Sequence, residues 1–179
     1  MTFRHQPKTM YRFRMPPRRS WIGQYNKSLR QLGNNDEEAF RLNAEAADHG
    51  MHDAILAMGW FYLNGVGVPA DYGKATHWYK KAARTGDLSA FYSLGHIAWL
   101  QGDYDDALLW LNRAIEKGHS RSKYTLGRMY WAGKGVAKDR GHARKLFSEA
   151  AAASVLEAQR AERYLTYLGR NNSKMNAQN

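Results

Sequence analysis

The chain of 179 residues contains no cysteine and only four prolines. Without cysteine there is no disulfide, no thiolate metal site and no cysteine nucleophile, which agrees with a reducing, cytoplasmic setting. Long hydrophobic runs are also missing. The longest, around Ala54 to Leu63, is too short to cross a bilayer, so no transmembrane segment is expected. The start, MTFRHQPKTMYRFRMPPRRSW, has no apolar core behind its charges and does not read as a secretory signal. Pro16 and Pro17 interrupt any amphipathic helix that a transit peptide would need there. Acidic residues are absent from residues 1–30, which hold Arg4, Lys8, Arg12, Arg14, Arg18, Arg19, Lys27 and Arg30. Residues 31–169 are close to neutral, so the net charge of +11 belongs to the tails.

What is present is a repeated pattern. Ala39, Ala75, Ala107 and Ala143 are spaced by 36, 32 and 36 residues. Gly59, Gly95 and Gly127 keep the same 36 and 32 steps, and so do Gly50, Gly86 and Gly118. Three columns in one register make an internal repeat the organising feature. Apolar and small residues within each unit recur at helical spacing over two successive segments, which predicts an amphipathic helix pair. Asn35, Asp71, Asp103 and Asp139 precede the second helices, where a side-chain oxygen can accept from an unpaired amide. Asn35 with Glu38, and Asp103 with Asp106, have the spacing of a capping box. A glycine inside a helix is unfavourable by ~1 kcal/mol against alanine, so its recurrence predicts close helix contact.

The stretches LNGVGVPADYGKA and WAGKGVAKDRGHA share Gly-x-Gly-Val-x-x-Asp-x-Gly-x-Ala. A phosphate loop requires a preceding strand, and Gly73-Lys74 is followed by Ala75 where such a loop has Ser or Thr. The motif is therefore read as a helix-to-helix connector. Together with Ala-x-x-x-Leu-Gly-x-x-Tyr before it and Lys-Ala-x-x-Trp-x-x-Lys-Ala-Ala-x-x-Gly after it, the pattern resembles the Sel1-like repeat (SLR) family, relatives of tetratricopeptide repeats. The resemblance covers about residues 36–165. Residues 87–118 drop four loop residues and read more like a tetratricopeptide unit.

The resemblance implies an all-α fold, a right-handed α-solenoid of antiparallel helix pairs. The expected organisation is a basic tail over 1–19 and units over about 20–50, 51–86, 87–118 and 119–154. A capping helix over 155–169 and a disordered tail over 170–179 would complete the chain. In such arrays, positions flanking the packing glycine point into a concave groove. Carried over residue by residue, this gives Asp53, Leu56, Trp60 and Leu63, then Ser89, Tyr92, His96 and Trp99. Arg121, Tyr124, Arg128 and Trp131 follow, then Glu157, Arg160, Tyr164 and Tyr167. Aromatic residues and arginine dominate, the types enriched in binding hot spots. Tyr62 and Tyr130 are expected in the core.

Seven histidines, His5, His49, His52, His77, His96, His119 and His142, show no zinc spacing and read as scattered. No Ser/His/Asp set suggests catalysis, and no metal or cofactor is expected. The expected function is a non-catalytic adaptor whose groove holds a protein or peptide bearing acidic or carboxylate groups. It would act as a monomer or weak homodimer, in a bacterial regulatory, secretion-associated or toxin-neutralising role. The alternative is a nucleic-acid or anionic-membrane binder acting through the basic tail. Under the adaptor reading, nucleic-acid binding through residues 1–30 is weak and falls steeply with salt.

Overall fold

The computed structural model describes residues 18–153, together with Gln159 and Arg163. Among the described residues there are eight α-helices and no strand. They are α1 (Arg18–Gln31), α2 (Asp36–Asp48), α3 (His52–Asn64), α4 (Tyr72–Ala83), α5 (Leu88–Gln101), α6 (Tyr104–Glu116), α7 (Ser120–Ala132) and α8 (Arg140–Ala152). The fold is an all-α solenoid of helix pairs: α1 with α2, α3 with α4, α5 with α6 and α7 with α8. Contacts between pairs run α2 to α3, α4 to α5 and α6 to α7. The first helices α5 and α7 also touch each other, whereas α4 and α6 stand farther apart. The face carrying α5 and α7 is therefore the inner side of this part of the array.

Local chemistry sets the helix starts. Asn35, Asp71, Asp103 and Asp139 each accept from the amide three residues on, those of Glu38, Lys74, Asp106 and His142. Asp87 caps α5 in the same way through the amide of Ala90, while α3 and α7 start without a side-chain cap. The reciprocal halves of the expected capping boxes are not made. The Glu38 carboxylate is held by Arg41 at 2.7 and 2.8 Å, and the Asn35 amide donates to the Gln31 carbonyl. Asp103 likewise donates its amide to the Ala98 carbonyl. A longer side chain one turn along competes for Glu38, and the backbone of the preceding turn satisfies the amide.

Within three of the pairs a glycine of the first helix faces a large residue of the second. A Cβ added at Gly59 would lie 2.8 Å from the Tyr79 ring, at Gly95 2.8 Å from Leu111 Cγ, and at Gly127 2.7 Å from the Phe147 ring. At Gly95 the backbone is close as well, since the Leu111 amide nitrogen would be at 3.2 Å. Leu111, Phe61, Ile97 and Met129 are fully buried around these crossings, each contributing ~1.5–3 kcal/mol by leaving water. Tyr62 and Tyr130 are half-buried against the core rather than inside it. The first pair lacks such a glycine contact. There Ser28 is buried and donates to the Ala39 carbonyl at 2.7 Å, while Gly23 has open space around it.

The Gly-x-Gly loop has two distinct uses for its glycines. Gly65 and Gly133 end α3 and α7 with φ of 68°, in the left-handed region where a Cβ is disfavoured. The next glycine of each pair reaches back to the preceding unit. A Cβ at Gly67 would collide with the Asp36 carbonyl at the start of α2, and one at Gly135 with Tyr104 at the start of α6. The short α5–α6 connection has no counterpart. Tyr72, at the start of α4, is correspondingly left exposed.

Residues 1–17 and the span expected to form the capping helix lie outside the described residues, apart from Gln159 and Arg163. Gln159 donates to the Ala151 carbonyl at 3.3 Å. Because α1 packs on α2, a truncation that tests the basic tail has to stop at residue 17, not 30. The crossings make a paired prediction. Helix propensity alone favours alanine over glycine by about 1 kcal/mol. Gly23→Ala should therefore raise the thermal midpoint. Gly95→Ala should lower it, because overpacking against Leu111 at about 1–3 kcal/mol outweighs the propensity gain. A stabilising Gly95→Ala would contradict the packed crossing.

Candidate binding groove

The inner surface has two chemically different sections. The first lies between α1, α3 and α5, where Tyr25, Asp53, Leu56, Ala57, Trp60, Tyr79, Ser89 and Ser93 line a depression of about 360 Å³. Trp60 is 42% exposed and packs edge-on to Phe61 at 5.4 Å. Asp53 is exposed nearby. Burial, followed by the Asp53 charge, holds the Tyr25 phenol above its ordinary pKa. This section offers an indole, hydroxyls and one carboxylate.

The second section, on α5 and α7, is an aromatic stack under cations. Tyr92 stacks with His96 at 5.8 Å and His96 with Trp99 at 6.0 Å, nearly parallel in both cases. One helical turn separates neighbours in this row, which is why the rings share a face. His119 joins from the start of α7, 5.0 Å from Tyr92. Arg121 lies 5.9 Å over the Tyr92 ring, and Arg128 lies 4.6 Å over Trp99 and 6.0 Å over Tyr124. Lys134, from the α7–α8 loop, is 5.9 Å over the same Trp99. Cation–π contacts of this kind contribute ~0.5–1 kcal/mol at exposed sites. Arg128 and Lys134 make no ion pair with a described residue. Asp87, the acid at the start of α5, is already engaged by His52 at 2.9 Å and by the α5 cap.

The charge environment acts on the two histidines. Burial first, then Arg128 and Arg121, hold His96 below its ordinary value of 6.5. Burial and Arg121 lower His119 also, with Asp87 opposing. Both are thereby biased toward the neutral form. Among the described residues no cluster of His, Cys, Asp or Glu could hold a metal ion, and no described helix is long and apolar enough to cross a membrane.

The repeat register, the packing glycines and the reaching loops point to one family, and its sequence profile matches residues 52–87, 84–119 and 120–155. The chain belongs to the Sel1 repeat family. A Sel1 repeat protein from Oxalobacter formigenes has a crystal structure similar to this chain at a TM-score of 0.72 and 29% identity, covering 87% of this chain and 68% of that one. A protective antigen of uropathogenic Escherichia coli strains, described as displaying an SLR fold, is similar at 0.64 and 29% identity, over 83% of this chain and 34% of that one. An immunity protein from Pseudomonas aeruginosa shares the fold at a TM-score of 0.54 and 20% identity, over 78% and 55%. Among curated proteins, the chitin synthase regulator SKT5 of Malassezia restricta is 41% identical over 56 residues. That match spans 31% of this chain and only 4% of the regulator. Sel1 repeat proteins are in general scaffolds for protein interaction.

Within this Sel1 array the sequence-derived groove residues divide into groups. Asp53, Leu56, Trp60 and Ser89 line the first section, and Tyr92, His96, Trp99, Arg121, Tyr124 and Arg128 build the second. Leu63 packs against the core. Trp131, in the same repeat slot as Trp99, turns to α8 instead. Its ring is 6.4 Å from Phe147 with Arg140 over it at 5.1 Å. Glu157, Arg160, Tyr164 and Tyr167 lie outside the described residues. Sequence reasoning missed His119 and Lys134, which come from a cap position and a loop. It also treated the histidines as scattered, although His96 and His119 flank Tyr92. His96 and His119 occupy different repeat slots, so the register carries no signal that they meet across Tyr92.

A base held neutral by the fold stabilises the protein fully above its ordinary pKa, and that stability is lost as pH falls toward the lowered value. The thermal midpoint should therefore begin to drop as pH falls below about 6.5, above the range where most carboxylates titrate. His96→Phe, which keeps a ring between Tyr92 and Trp99, should flatten that drop. Midpoints at several pH values check this, and an identical pH dependence in the variant contradicts it.

Proposed function

We propose that this chain is a non-catalytic interaction scaffold that holds an acidic peptide segment of a protein partner along the inner faces of α3, α5 and α7. The observation that carries the reading is Arg128, which lies over Trp99 at 4.6 Å and has no carboxylate partner among the described residues. A guanidinium fixed by an aromatic ring is oriented before the partner arrives, so less side-chain freedom is lost on binding. Arg121 and Lys134 extend the positive surface, while Asp53 and the exposed Trp60 mark the other section. The groove is thus polar along its length, which favours a segment whose carboxylates lie over α5–α7. Bound carboxylates would also favour the protonated form of His96, coupling binding to proton uptake.

Phage-displayed peptides selected on the protein should be enriched in Asp and Glu. Loss of a central arginine anchor commonly weakens an interface by ~2 kcal/mol or more. Arg128→Ala should accordingly reduce the affinity of a selected peptide by about thirtyfold with the far-ultraviolet helix signal retained. Trp99→Ala should act in the same direction, with some loss of thermal stability because Trp99 also packs on the core. Selection of basic or uncharged peptides, or unchanged affinity in Arg128→Ala, contradicts the reading.

A further inference from the structure

The outer side of the array has a second feature that the inner groove does not account for. Between α4 and α6, where the second helices stand apart, Lys80, Ala83, Arg84, Phe91, Trp110, Arg113, Glu116 and Lys117 line a gap of about 560 Å³. Its floor is apolar. Phe91 of α5 is buried, and Trp110 stacks on it at 5.9 Å. Its rim is cationic, with Arg113 held over the Trp110 ring at 4.8 Å. None of Lys80, Arg84, Arg113 and Lys117 makes an ion pair with a described residue, and Glu116 is the one acid among the lining residues.

Repeat register shows where this composition differs from its neighbours. Thirty-six residues earlier, the slots of Lys80, Arg84 and Phe91 hold Ala44, Asp48 and Ile55. Thirty-two residues later they hold Asn112, Glu116 and Lys123, and Lys123 is tied to Glu149 at 2.7 Å across α7 and α8. The preceding gap repeats the tryptophan and its cation, with Lys81 4.8 Å over Trp78, but has Ile55 and Asp48 where this gap has Phe91 and Arg84.

We propose that this outer gap is a second binding site, for an acidic peptide segment that carries one large apolar side chain. The apolar side chain fills the space over Phe91 and Trp110, and its flanking carboxylates meet the four cations. The volume lies within the range of about 300–1,000 Å³ usual for ligand pockets. Glu116 favours a peptide over a phosphate surface. It can accept from the N–H groups of a peptide backbone, a donor that phosphate groups do not offer. The site is independent of the inner groove, so the chain would contact acidic segments on two faces.

The test uses the full chain and one probe, the blocked pentapeptide Glu-Asp-Phe-Asp-Glu, followed by the indole N–H resonance of Trp110, assigned through Trp110→Phe. The resonance should move and saturate. A Lys80→Glu, Arg113→Glu double variant with an unchanged helix signal should weaken binding by about tenfold or more. Replacing the central Phe of the probe by Gly should weaken it too, whereas Arg128→Ala should leave the Trp110 response as it is. No saturable movement of Trp110, or equal affinity in the double variant, overturns the site. Phosphatidylglycerol vesicles or a single-stranded oligonucleotide moving Trp110 at lower concentration than the peptide overturns the assignment of its occupant. Loss of the response in Arg128→Ala would place the probe in the inner groove and overturn the site as well.

Discussion

The contact on which the structure depends is the close approach of a helical glycine to a large side chain across three of the four pairs: Gly59 to Tyr79, Gly95 to Leu111, Gly127 to Phe147. Each removes a Cβ where the second helix needs the space. It thereby fixes both the separation of the two helices and their rotation. Successive residues of a helix are turned by about 100°, so Trp60, His96 and Arg128, each one position after a packing glycine, are carried off the crossing toward the inner side. The groove is a geometric consequence of the core. A shift of the glycine crossing would rotate the candidate site residues away from one another.

The last three units share this crossing and differ in how they are joined. The long loops press Gly67 and Gly135 onto the start of the second helix one unit back, clamping α2 and α6. The shortened α5–α6 connection leaves α4 without that cover, with Tyr72 exposed. Lys134 shows that a long loop also contributes to the inner surface, since its ammonium reaches the Trp99 ring of the preceding unit. Differences between units, rather than the shared repeat, therefore carry the chemistry. The cations over Tyr92 and Trp99 come from α7 and its loop, and in the gap between α4 and α6 Phe91 stacks with Trp110 where the preceding gap has Ile55.

Much of the fold was legible in the sequence because the decisive interactions are local or periodic. The caps at Asn35, Asp71, Asp103 and Asp139 span three residues, and the glycine columns repeat in register. The first pair was less legible, since Ser28 bonded to the Ala39 carbonyl replaces the glycine crossing and has no motif. Asn43 stands in the slot that holds Tyr79, Leu111 and Phe147 elsewhere, and donates to the Ala54 carbonyl at 2.9 Å. The candidate site was legible by position and not by contact. Trp99 and Trp131 share a slot, yet one meets Arg128 and Lys134 while the other meets Phe147 and Arg140. Which neighbour a side chain meets depends on the adjoining unit, and a single-unit pattern contains no such information.

The central claim is that the crossing geometry assembles Arg128, Trp99 and His96 into one anion-reading surface. Side-chain NMR on the full chain measures this most directly, following the Arg128 Nε–H and the His96 ring during titration with an acidic peptide that lacks aromatic residues. Both signals should move with one saturation curve, and the His96 titration midpoint should rise from its depressed position as carboxylates offset the nearby guanidinium charges. An Arg128 signal that stays still while the peptide binds, or a His96 midpoint that does not rise, would contradict the account.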